Sequence, residues 1–152
     1  MCRWARGSSK LPRSFKHVNF LLPPDIARGA SLRGNEYGWQ ISAFPEALTN
    51  ARSQGFACLG GQFQFRMPAG IYEMYWLSAD STDRRAGETW ADYSQRSCSE
   101  VLDKFNDLIS KTDFAKEAAN WRPHASSIEG LVFVAYFETE ASLAELSAAR
   151  KR

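Results

Sequence analysis

Phe56-Ala57-Cys58-Leu59-Gly60-Gly61-Gln62-Phe63-Gln64-Phe65-Arg66 and its continuation, Met67-Pro68-Ala69-Gly70-Ile71-Tyr72-Glu73-Met74-Tyr75-Trp76-Leu77, form the most informative stretch of the chain. Two short apolar runs flank a Gly-Gly pair, the composition of a two-residue hairpin. Such a turn sets Leu59 opposite Gln62, Cys58 opposite Phe63 and Phe56 opposite Phe65. Phe56, Cys58, Phe63 and Phe65 then share one buried face. A second connection, Met67-Pro68-Ala69-Gly70, pairs Arg66 with Ile71, Gln64 with Glu73 and Gln62 with Tyr75, and it sets Phe63 against Met74 and Phe65 against Tyr72. Both turns agree on the core side, so 56–77 predicts a three-stranded meander.

Outward from this meander, a helix is expected over about 43–54. Ser42 is its candidate cap, Pro45 and Glu46 suit its first turn, and Gly55 stands at the C′ position. A longer helix is expected over about 90–110. Thr89 with Asp92 three residues on resembles a capping box, and Cys98, Val101, Leu102, Phe105, Leu108 and Ile109 follow helical spacing. Arg96, Ser99, Asp103, Asn106 and Ser110 are expected to face water, with Glu100–Lys104 and Asp107–Lys111 as i,i+4 pairs. Thr112-Asp113 caps a shorter helix to about Asn120. Leu131 to Phe137 is apolar on both faces and reads as a central strand. Residues 23–38, rich in Pro and Gly, read as irregular, with Asn35-Glu36-Tyr37-Gly38 a turn. The expected architecture is α+β: an antiparallel sheet of about four strands with helices about 43–54 and 90–110 on one face. The division is a basic disordered tail over 1–16, one α+β domain over 17–140 and a frayed helix over 141–152.

The 152 residues, 44% hydrophobic and 13% aromatic, suffice for one packed domain. No window approaches the roughly 20 apolar residues that cross a bilayer, and no signal-peptide core is recognisable, so a cytoplasmic, membrane-free protein is expected. Charge is unevenly placed. Residues 1–16 hold five basic residues and no acid, and 150–152 are Arg-Lys-Arg. That leaves 11 of the 19 basic residues against all 17 acids in 17–149. An acid-leaning body disfavours nucleic acid as the main partner, because phosphate contacts dominate that affinity, and suits a basic protein.

Reactive groups are sparse. The histidines, His17 and His124, have no ligand partner at helical or strand spacing, and Cys2, Cys58 and Cys98 form neither a disulfide framework nor a zinc pattern. No metal, cofactor or catalytic residue is assigned. Gly60-Gly61 precedes a strand rather than a helix, so it reads as a tight turn and not a phosphate cradle. Asp80, Asp83, Glu88 and Asp92 surround the loop before the long helix, where alternation with Arg84 and Arg85 reads as a solvated loop able to extend a docking surface.

The pattern Gly55 to Trp76, with Leu59-Gly60-Gly61, Tyr72 and Trp76, followed by Glu88-Thr89-Trp90, Tyr93 and Arg96-Ser97, resembles the bacterial polymorphic-toxin immunity proteins, specifically the immunity protein 40 family, over roughly residues 36–137. That family's pattern carries an acidic residue after the Gly pair, where this chain has Gln62. The resemblance implies a protein without catalysis that binds and neutralises a cognate toxin domain in the cytoplasm, a basic nuclease being a toxin that an acidic inhibitor suits. The candidate docking surface is the sheet face carrying Gln62, Gln64, Arg66, Glu73 and Tyr75, extended by Asp80, Asp83, Glu88 and Asp92. The same face reads equally as ordinary solvated surface. Two other classes compete: a small hydrolase around Cys58, Glu73 and His124, and a nucleic-acid accessory protein using the basic tail.

Overall fold

A computed structural model describes residues 21–121 and 128–151. Its elements are α1 (Pro24–Ala27), β1 (Ala30–Arg33), β2 (Glu36–Trp39), α2 (Phe44–Ser53), β3 (Ala57–Met67), β4 (Gly70–Asp80), α3 (Trp90–Lys111), α4 (Phe114–Ala119), β5 (Leu131–Glu138) and α5 (Glu140–Lys151). The strands form one antiparallel sheet in the order β1-β2-β5-β3-β4. The expected α+β class is found, with five strands rather than about four. The added strands come from 23–38: β1 and β2 pair as a hairpin about Gly34-Asn35, so the turn expected at 35–38 lies earlier and Glu36–Gly38 is strand.

The Gly-Gly pair does not turn the chain. β3 runs unbroken through Gly60 and Gly61, which replaces the expected meander by one long β3–β4 hairpin. The expected pairs across that turn, Leu59–Gln62 among them, therefore do not form. Phe56, Cys58, Phe63 and Phe65 nonetheless all reach the same core. Cys58 and Phe63 are an odd number of residues apart, so simple alternation would separate them. A register shift between Cys58 and Gly60 against β5 inserts one extra residue and restores the parity. Gly60 sits there at a φ of +136° with Asp80 Cα 2.7 Å from where a Cβ would stand, and a Cβ on Gly61 would strike Val134 O. The same two glycines that suit a turn suit a bulge pressed between two neighbouring strands.

Beyond the bulge, the expected pairs Arg66–Ile71, Gln64–Glu73, Phe65–Tyr72 and Phe63–Met74 all form. Gln62 differs: it lies opposite Ser78 rather than Tyr75, because Tyr75, Trp76 and Leu77 have no counterpart on β3.

Helices α2 and α3 close one face of the sheet over an aromatic cluster. Phe133 lies 4.6 Å from Phe44, 4.9 Å from Phe63 and 5.1 Å from Phe105, measured between ring centroids. Burying each such ring contributes roughly 1.5–3 kcal/mol, and the tilted and edge-to-face geometries are those aromatic quadrupoles favour. β5 occupies the centre of the sheet as its two apolar faces predicted.

Local helix signals are met with one exception. Thr89 Oγ1 accepts from Asp92 N–H at 3.1 Å, and Asp113 caps α4 by accepting from Lys116 N–H. After α2, Gly55 N–H bonds Arg52 O and Phe56 N–H bonds Ala51 O, the paired closure of a Schellman motif with Gly55 at a φ of +79°. Ser42 is not the cap of α2. Ala43 holds that position without a side-chain bond, because a turn donating Ala43 N–H and Phe44 N–H to Gln40 O already fixes the approach. The C-terminal helix begins at Glu140, one residue before its expected start, and the tail 1–16 lies outside the described residues.

Candidate functional site

The sheet face opposite the aromatic cluster carries Glu36, Gln62, Gln64, Arg66, Glu73, Val132, Val134 and Tyr136, as the register and alternation require. The expectation that Gln62, Gln64, Arg66 and Glu73 share a face is met. The expectation that this face is open is not met at its centre, where Gln62 and Gln64 are each 0% exposed, while Arg66 and Glu73 beside them are half-buried. Their chemistry is directed inward. Gln62 Nε2 donates to Glu73 Oε1, and Gln64 Oε1 accepts from Arg66 Nε at 2.8 Å. Arg66 then reaches across β5 to β1 and β2, donating to Ser31 O at 2.8 Å, Ser31 Oγ at 3.1 Å and Glu36 O at 2.8 Å. Gly38 permits this crossing: a Cβ there would lie 2.9 Å from Arg66 Cζ. Tyr136 OH donates to Glu36 Oε2.

Burial lowers the pKa of Arg66 and the Glu36 carboxylate opposes that shift, so the guanidinium stays charged and engaged. Gln62 Oε1 and Gln64 Nε2, by contrast, are buried with no hydrogen-bond partner. An orphaned buried amide atom costs on the order of 1–3 kcal/mol, so this layer is held by directional bonds at some expense of stability. Beside it lies a cleft of about 360 Å³, bordered by Ser31, Gln40, Arg66, Glu129 and Val132.

The second group of expected residues lies apart from the first. Asp80 ends β4 opposite Gly60, Asp83 is exposed in the following loop, and Asp92 is exposed in the first turn of α3. Tyr75 lies in the β4 bulge with its ring 5.3 Å from that of Trp76. Glu88 is clamped: Arg96 donates to it through Nε at 2.7 Å and Nη2 at 2.8 Å, while Arg85 N–H donates at 2.9 Å. These bonds to the charged form hold the Glu88 carboxyl down at about 2.

Arg96 was expected to face water, yet its side chain is only 16% exposed. It also engages Glu100 Oε2 at 3.0 Å, Thr82 Oγ1 at 2.6 Å and Asp83 O at 3.0 Å. Glu100 accordingly pairs with Arg96 and not with Lys104, whose Nζ caps Asp80 O at 2.6 Å. Asp107–Lys111 forms as expected at 3.0 Å. The loop 81–89 is solvated as expected, with 82–87 exposed, and it is also braced, with Ser81 Oγ donating to Cys58 O at 2.7 Å and Arg84 meeting Glu140 at 2.9 Å.

Most residues of the stretch Glu88 to Ser97 turn out to hold this junction. Thr89 caps α3, Trp90 Nε1 donates to Gly55 O at 2.7 Å, Tyr93 is buried beneath Arg96, and Ser97 Oγ accepts from Cys58 N–H at 3.1 Å. Burial raises the Tyr93 hydroxyl to about 12 and the Cys98 thiol to about 11, so neither is ionised near neutrality. Cys58 is fully buried, and His17 and His124 lie outside the described residues. Among the described residues no group of three or more His, Cys, Asp or Glu could hold a metal ion, and no helix is long and apolar enough to cross a membrane.

Sequence reasoning missed Glu36 because a turn was read over it, and missed Arg96 because helical spacing alone places it outward. Carboxylates at four-residue steps before and after it, Glu88, Asp92 and Glu100, were the available signal. Comparisons with protein-family models, with curated proteins and with solved structures find no match.

Proposed function

We propose that this chain is an immunity protein, which binds a cognate bacterial toxin domain in the cytoplasm and neutralises it without catalysis. One observation carries the reading: the best-enclosed charged groups and the thiols of the described residues are taken up by the fold. Arg66 and Arg96 are each enclosed by acceptors, and both described thiols, Cys58 and Cys98, are buried. What remains for solvent is acid-leaning, since the described residues hold all 17 acids and 12 of the 19 basic residues. Such a surface suits a basic partner such as a nuclease domain, and charge complementarity of this kind speeds encounter as well as fixing orientation. The resemblance of Gly55–Trp76 and Glu88–Ser97 to the immunity protein 40 family points the same way.

The test is co-expression with the C-terminal domain of the secreted protein encoded immediately upstream. Growth rescue and co-purification of the two chains are expected. Loss of growth with no complex, or substrate turnover by the purified chain alone, would overturn the reading.

A further inference from the structure

We propose that the partner docks on the edge of β4 that no described strand covers, with Trp76 and Ile71 as anchors, and that it does so through an extended segment bearing basic and apolar side chains. This rests on the binding reading above and names its surface. The sheet face first expected to serve is closed at its centre, because Gln62 and Gln64 have no exposure, and it opens toward β4, where Glu73 is half-buried and Ile71, opposite Arg66, is exposed. β4 is different. It ends the sheet, it is 11 residues long, and among the described strands it pairs with β3 alone. Edge strands of that length are ordinarily blunted by lysine, proline or a covering element. Gly70–Asp80 contains no Lys, Arg or Pro, and it exposes Trp76 by 49% and Ile71 by 38%.

The bulge sharpens the point. Tyr75, Trp76 and Leu77 give up their places in the ladder, Leu77 turns into the core, and Trp76 is turned outward with Tyr75 against its ring. Bulges re-aim side chains, and a half-exposed Trp braced by a Tyr is the residue type that dominates protein interfaces. A second copy of this chain fits the edge poorly. The bulge interrupts regular pairing after Met74, and the described residues hold 17 acids against 12 basic residues, so two copies repel. A basic extended segment is attracted rather than repelled, and it needs only the regular stretch before the bulge, Gly70 to Met74, with Trp76 beside it.

The experiment uses the full chain and two probes: the upstream-encoded toxin domain, and a synthetic decapeptide of alternating Lys and Val with a Glu-Val counterpart. Trp76→Ala should weaken toxin-domain binding by on the order of thirtyfold and Ile71→Ser by about fivefold, with melting temperatures unchanged. The Lys-Val peptide should bind wild type but not Trp76→Ala, and the Glu-Val peptide should bind neither. Toxin-domain affinity untouched by both substitutions overturns the proposal. So does a Lys-Val peptide that binds the two proteins alike or not at all, or a dimer of the free chain that Trp76→Ala abolishes. The immunity reading fails separately, when wild type leaves the toxin domain unbound while the Lys-Val peptide still binds at Trp76.

Discussion

The middle of β3 is closed on both faces, and the two are held by opposite means. On one, Phe63 and Phe65 pack among rings; on the other, Gln62 and Gln64 lie at the same zero exposure amid hydrogen bonds. Ring packing is non-directional and scales with area, so almost any apolar neighbour contributes. Amide burial contributes only when each donor and acceptor is matched, and here two atoms are left over. One strand can thus carry a face that stabilises and a face that specifies.

The contrast makes unequal predictions. Phe63→Ala should cost about 3–5 kcal/mol in urea unfolding, because the ring contacts Phe105, Phe114 and Phe133 and leaves a cavity when removed. Gln64→Leu should cost only about 1 kcal/mol. It strips Arg66 Nε of its acceptor while also deleting an orphaned N–H donor of the amide, and the two effects oppose. Equal losses for the two variants would mean that the polar face is as dependent on packing as the core.

The smallest effect belongs to the clamp. The Glu88 carboxyl is held below its ordinary value near 4.5, down to about 2, so its contribution is complete above pH 4.5 and fades as pH falls through that interval. The melting temperature of wild type should therefore fall more between pH 6 and pH 3 than that of Glu88→Gln. Parallel falls in the two proteins would remove Glu88 from the account of acid stability.

Helix ends were the most legible part of the chain. Thr89, Asp113 and Gly55 act on backbone groups within a few residues of themselves, so their roles follow from spacing alone. Gly60-Gly61 was not legible in the same way. A left-handed φ and a missing Cβ are required by a tight turn and by a bulge alike, and the choice depends on Val134 and Asp80, which are distant in sequence. The candidate site shows the same division. The register from Arg66–Ile71 to Phe63–Met74 put the polar residues on one face, but only the assembled sheet shows that the centre of this face is shut and that Trp76 at its edge is not.

Sequence by itself determined the α+β class, the long capped helix, the central strand and the side of β3–β4 that enters the core, because periodicity and caps are local properties. Tertiary structure decided that β5 enters between β2 and β3, that Gly60 bulges, and that Arg66 and Arg96 turn inward. Those outcomes depend on contacts between residues far apart in the chain, and their free energy exists only once the distant partners have met.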